Sequence, residues 1–200
     1  MRPEDVVELL RRAGGTVSAK ELIGAGVRWA DLYDLRDKGS LVELSRGIYR
    51  LHDAPPTAYL DFVAVCRRVP RGTICLNSAA SYWDLTDEMP MQVHVAVARG
   101  RPRPAISYPP TKVHVFAEDT FELGRVFEVL ESGERIAIYS PERTVVDMMR
   151  LRRVVGRDQA LGALRLYLQR PGARPGQVLA LARELRAGGI VAEAMEPLLA

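Results

Sequence analysis

The stretch from Val27 to Leu51, VRWADLYDLRDKGSLVELSRGIYRL, contains a helix, a stop and a hairpin in immediate succession. Trp29, Leu32 and Leu35 recur at helical spacing, and Gly39 is the residue that most readily ends such an element in a left-handed turn. Two short apolar runs follow, separated by Ser45, Arg46 and Gly47. These three fit a hairpin loop whose last position needs positive φ and receives glycine. That register predicts Leu44 opposite Ile48 and Val42 opposite Arg50.

Upstream, RPEDVVELLRRAGG opens with Pro3 where a first helical turn accepts proline. It places acids in that turn and arginines in the last, and closes on glycines. Val6, Leu9 and Leu10 form its apolar face. In TVSAKELIGAG, Ser18 with Glu21 three residues on is a capping box, opening a short helix whose Leu22 and Ile23 face inward. Three short helices joined this tightly are helix-turn-helix geometry, and the hairpin completes a winged version.

In such a motif the second helix lies in the major groove of DNA, its N-terminal residues nearest the base edges. That helix runs from about Arg28 to Lys38, with Arg28, Asp31, Asp34 and Arg36 outward. Arg28 is the first candidate for reading guanine, since a guanidinium can bond both guanine acceptors; Asp31 can accept from a cytosine amino group. Arg46, at the wing tip, can reach phosphates or a narrow minor groove. Lys20, Lys38 and Arg50 would add phosphate contacts that fix register without reading sequence, and Arg36 joins them as a DNA-binding candidate on the outward side of the helix. Asp31, Asp34 and Asp37 oppose phosphate binding unless neighbouring basic residues hold them in ion pairs. The alternative for these charges is an ordinary solvated surface.

Downstream, HDAPPT interrupts helix and sheet with two prolines and marks a linker after residue 52. AYLDFVAVCRRV suits a buried helix, GTICL a strand, and NSAASYWDL a helix capped by Asn77. The near-twin strands MQVHVAVA and TKVHVFA flank the irregular RGRPRPAISYPP. RVFEVLESGERIAIYS alternates as a hairpin about Ser132 and Gly133, and SPERTVVDMMR starts a helix with Ser140 as cap and Pro141 in the first turn. Helices broken at Pro171, Gly172, Pro175 and Gly188–Gly189 make up the tail. The expected fold is α+β: a winged helix-turn-helix over residues 1–52, then a domain over 53–200. That domain mixes strands and helices to about 155 and ends in a helical tail, 156–200.

With 48% apolar and 26% charged residues the composition suits a globular chain with a sizeable core. No apolar run approaches the roughly 20 residues of a membrane span, and the N-terminus lacks a leader pattern, so a cytoplasmic location is expected, with no membrane partner. Cys66 and Cys75 form no disulfide or zinc pattern. Basic residues exceed acidic ones chiefly in the tail, eight against four over 151–200. Arg150, just before that stretch, and Arg152, Arg153 and Arg157 within it could form one basic face for salt-sensitive DNA backbone contacts, or simply a solvated helix surface.

Taken in order, the winged N-terminal unit, SRGIYRL, LNSAASYWDLTDEMPMQVHVAV and YSPERTVVDMMR resemble the AbiEi family of antitoxins from type IV toxin-antitoxin systems, over about residues 3–155. The resemblance implies a winged-helix domain that binds inverted repeats of double-stranded operator DNA in its own promoter and represses the operon; because winged helices usually read such repeats in pairs, a homodimer on DNA is a further expectation. It further implies a C-terminal domain that counteracts a nucleotidyltransferase-type toxin without requiring a stable complex.

Enzyme chemistry finds little support. His94 and His114 occupy equivalent places in twin strands, but a metal would want a third ligand such as Glu118 or Asp119, and the spacing is generic. Glu142 and Asp147 are not spaced to share a helix face, whereas Arg143 and Asp147 suit an intrahelical pair. Ser78 and Ser81 lack a base nearby in the sequence, and RGRPRP is no phosphate loop. We therefore expect no catalytic residues, no metal and no cofactor. Two alternatives remain: a stand-alone winged-helix regulator with a ligand-sensing C-terminal domain, and a metal-dependent nuclease using Glu118 and Asp119.

Overall fold

A computed structural model describes residues 3–199. The chain is α+β and forms two compact units. One comprises Met1–Arg71, Pro104–Thr111 and Phe127–Ile136; the other comprises Gly72–Arg103, Lys112–Val126 and Ala137–Ala200.

In the first unit, helix α1 (Pro3–Arg12) buries Val6 and Leu10, with acids in its first turn and arginines in its last. Strand β1 (Thr16–Ser18) follows; at three residues it is too short to show a period in the sequence. Helix α2 (Ala19–Gly24) carries the expected capping box: the Ser18 hydroxyl accepts the Glu21 amide at 3.2 Å while the Glu21 carboxylate accepts the Ser18 amide at 2.9 Å. Helix α3 (Trp29–Asp37) buries Leu32 and Leu35, and Val27 before it joins the same core. Trp29, which recurs with Leu32 and Leu35 at helical spacing, is half exposed. It lies toward the edge of the apolar stripe, where a side chain so large is only partly covered.

Strands β2 (Leu41–Ser45) and β3 (Ile48–Leu51) form the hairpin, and the sheet order β1-β3-β2 makes β3 central, with all four of its residues buried. Val42 pairs with Arg50 as the spacing predicts, but Ser45 rather than Leu44 faces Ile48. The tip is the two-residue turn Arg46–Gly47, with Gly47 at φ +73°, and the surplus residue is taken up as a bulge between Glu43 and Ser45. The Glu43 carboxylate accepts the Gly47 amide at 2.8 Å, which closes the turn.

The first unit extends beyond the residue-52 boundary expected from the prolines. Helix α4 (Leu60–Arg68) packs on all three strands and buries Phe62, Val63, Ala64 and Val65. The segment Phe127–Ile136 contributes a turn whose backbone approaches Gly14 so closely that a Cβ there would stand 2.9 Å from the Gly133 carbonyl oxygen; Gly14 is at φ +83°.

A five-stranded sheet has strands β4 (Thr73–Ile74), β5 (Val93–Ala98), β6 (Thr111–Phe116), β7 (Arg125–Val129) and β8 (Arg135–Tyr139) in the order β6-β5-β4-β8-β7, of which β4, β5 and most of β6 fall in the other unit. The hairpin about Ser132 and Gly133 is thus present. Helix α5 (Leu76–Tyr82) has Cys75, not Asn77, at its N-cap position, with no side-chain capping bond, and the Asn77 amide instead donates to the Gln159 side chain at 3.1 Å. Helix α6 (Pro141–Arg150) starts at Ser140 as expected, the serine hydroxyl accepting the Arg143 amide. With α7 (Arg152–Val155), α8 (Arg157–Gln169), α9 (Pro175–Glu184) and α10 (Gly188–Leu199) it encloses a core including Tyr139, Val145, Leu164, Tyr167, Val178 and Met195. Among the described residues no helix is long and apolar enough to cross a membrane.

Candidate nucleic-acid interface

Helices α2 and α3 and the hairpin place the residues singled out from sequence on the N-terminal unit. Arg28 is the N-cap of α3 and is exposed. Its guanidinium grips Asp31 through two bonds, Nε to Oδ2 at 3.0 Å and Nη2 to Oδ1 at 2.7 Å. These bonds hold the Asp31 carboxyl below its ordinary range. Lys38 bonds Asp34 at 2.7 Å, and Arg36 bonds Asp37 at 2.9 Å. Each aspartate of the helix is therefore held by a basic neighbour in α3 or at its caps, which offsets the repulsion they would offer phosphate.

Lys20 is exposed at the start of α2, and Arg46 is exposed at the hairpin tip, where its carbonyl accepts from Arg68 at 3.2 Å. Arg50 is not on this surface. It is only 6% exposed and its guanidinium pairs with Glu134, which is fully buried, while also donating to the Thr16 hydroxyl at 2.9 Å and to the Pro55 carbonyl. Burial lowers the Arg50 pKa. The Thr16 hydroxyl in turn donates to Glu134 at 2.5 Å, and Ser132 donates to the other carboxylate oxygen. β3 is the middle strand and all four of its residues are buried, so the Arg50 side chain is held inside rather than offered to a phosphate.

Sequence reasoning also passed over an exposed aromatic pair. Trp29 and Tyr33, one helical turn apart on α3, stack with ring centroids 6.0 Å apart and planes 27° apart, at 50% and 43% exposure. The Arg36 guanidinium lies over the Tyr33 ring at 4.9 Å. The i, i+4 spacing of two aromatics, followed by an arginine on the same side, was the available signal.

The tail arginines lie on more than one helix and two of them are engaged. Arg150 pairs with Asp147 at 2.8 Å and Arg152 donates to the Met149 carbonyl at 3.2 Å, leaving Arg153 and Arg157 exposed. Gly156, at φ +103°, separates the short α7 from α8, so the run of arginines does not lie along one continuous helix.

Arg143 and Asp147 form the anticipated intrahelical pair at 2.9 Å, fully buried, with Arg143 Cζ 4.3 Å from the Tyr139 ring centroid. His94 and His114 do share a face, with ring nitrogens 3.3 Å apart. Burial, joined by Lys112, lowers both imidazoles to about 4, so they are neutral near pH 7. Glu118 and Asp119 are exposed on the 3-10 turn Glu118–Thr120. Among the described residues no group of three or more His, Cys, Asp or Glu side chains converges as a metal site.

Two helices in tandem, a third packed behind them and a hairpin with an exposed arginine at its tip define a winged helix-turn-helix protein. Residues 4–52 match the family described as transcriptional regulators, AbiEi antitoxins. The family resemblance read from the sequence thus holds over the winged unit, and the match stops short of the stretch to residue 155. No curated relative matches the chain. The crystal structure of the Rv2827c protein from Mycobacterium tuberculosis shares the fold at a TM-score of 0.59 and 17% identity, over 96% of this chain and 76% of that one.

Proposed function

We propose that this protein is an antitoxin that doubles as a repressor of its own operon. The winged helix binds inverted repeats in the promoter as a homodimer, and the C-terminal region, residues 53–200, counteracts a toxin of the nucleotidyltransferase type. One observation carries this reading: the segment matching the AbiEi antitoxin regulators, residues 4–52, coincides with the helix-turn-helix and its wing. On this reading Arg28 exchanges its bond to Asp31 for a base edge or shares it, Arg46 takes the neighbouring groove, and Lys20, Arg36 and Lys38 hold phosphates. The chain acts without catalysis or cofactor and works in the cytoplasm.

A salt-titrated mobility-shift assay of the full chain, on the DNA upstream of its gene and on a scrambled duplex, tests the DNA reading. Tight preference for the upstream DNA, fading as salt rises, is expected. Arg28→Ala should weaken it about 5- to 100-fold, as loss of a bidentate base contact does, and Arg46→Ala by less. Equal weak binding to both duplexes, or unchanged affinity in both variants, rejects the proposed contacts. Co-expression with a nucleotidyltransferase-type toxin tests the antitoxin half: growth must be rescued by the full chain.

A further inference from the structure

We propose that Trp29 and Tyr33 are specificity-determining residues that read thymine methyl groups in the major groove, so that the DNA site presents thymines to the start of α3. This rests on the DNA-binding reading of the winged helix and deepens it. Folding has already placed its core residues on this helix: Leu32 and Leu35 are buried and Val27 closes the end. Trp29 and Tyr33 lie outside that core, stacked and about half exposed, on the half of α3 that a helix-turn-helix presents to base edges.

Two large rings left in water beside a packed core gain by covering apolar surface, and in the major groove the thymine C5-methyl is the apolar group on offer. The surroundings favour a nucleic acid over a protein partner. Arg28 precedes the pair at the N-cap, Arg36 lies over the Tyr33 ring, and Arg46 is exposed at the hairpin tip. The three aspartates of the helix are tied to Arg28, Lys38 and Arg36. An aromatic patch bordered by arginines, with its acids already paired, suits a polyanion carrying apolar edges.

The stacking also fixes the geometry. With Trp29 and Tyr33 in mutual contact and Tyr33 held under Arg36, the two rings offer a pre-ordered surface and give up little side-chain freedom on binding.

The test uses the full chain and two versions of its upstream duplex, one with thymine and one with every thymine replaced by uracil. This removes the methyls and keeps Watson–Crick pairing. Wild type should bind the uracil duplex about 5- to 20-fold more weakly. Trp29→Ala/Tyr33→Ala should bind the thymine duplex more weakly by a similar factor and no longer distinguish the two. Circular dichroism of the double variant checks that its fold is retained, and Tyr33→Phe, which keeps the ring, should retain discrimination. Specific binding by wild type that is equal on both duplexes overturns the methyl contacts while leaving the DNA reading standing. Unchanged DNA affinity in the double variant does the same and reassigns the patch to a protein partner. Absence of any preference for the upstream DNA overturns both.

Discussion

Arg50 shows how far one side chain can depart from the role its neighbourhood suggests. It sits four residues after the wing-tip arginine in a basic hairpin, yet it is the buried cation of a network with Glu134, Thr16, Ser132 and the Pro55 carbonyl. Removing one partner of such a pair leaves a charge stranded out of water, a loss of roughly 3–5 kcal/mol, whereas replacing both by apolar groups of similar volume is often nearly neutral. Glu134→Ala should therefore lower stability by about that amount in urea unfolding, and Arg50→Met/Glu134→Leu should recover most of it. A Glu134→Ala loss below about 1 kcal/mol would show that the pair is not the brace it resembles. DNA affinity should be insensitive to the double substitution, since Arg50 faces inward.

At the scale of elements, the pairing of β5 with β6 sets two imidazoles against each other. In the folded chain both titrate near 4, against about 6.5 in an unfolded one. Above pH 6.5 both states are neutral at these groups and the contribution is constant. As pH falls from 6.5 toward 4 the unfolded chain takes up protons that the folded chain refuses, so stability drops across that window and levels off below it. After allowance for partial exposure, about 1–2 kcal/mol per imidazole is expected. Urea midpoints at pH 7.5 and 5 should separate for wild type by more than for His94→Gln/His114→Gln; equal separations would remove the two histidines from the account.

Elements were also where the sequence was most readable. The capping box at Ser18, the proline start at Pro141, the hairpin about Gly133 and the Arg143–Asp147 pair all follow from signals within a few residues of each other, and each is present. The misplacements share another cause. β1 is too short to carry a period, and the Leu44 bulge depends on a side chain closing the turn. Glu134 is 84 positions from its partner. Of the candidate interface, Arg28, Arg46 and Lys20 were legible as exposed charges. The aromatic pair was not, because Trp29 fits the helical period of the core and only packing decides which side of the stripe stays covered.

For the molecule as a whole, the N-terminal unit is not one continuous stretch. Helix α4 covers its strands, and Ser132 and Glu134 arrive from far along the chain. A fragment ending at Leu51 keeps the helix-turn-helix and the wing but strands Arg50 and uncovers β3. It should show no cooperative thermal transition and no specific DNA binding, whatever the affinity of the full chain. A fragment that melts cooperatively and shifts the upstream duplex would show that residues 1–51 suffice.

The scattered make-up of this unit has a consequence for the order of events in the cell. A ribosome adds about 5–20 residues per second, so the interval between making Arg50 and making its counter-ion is on the order of ten seconds. Throughout that time β3, the middle strand of the N-terminal sheet, carries Arg50 without the Glu134 carboxylate it pairs with in the folded protein. The half of the protein that is translated first is thus completed only when roughly two thirds of the chain has emerged, and nascent chains released before that point carry an unfinished winged helix.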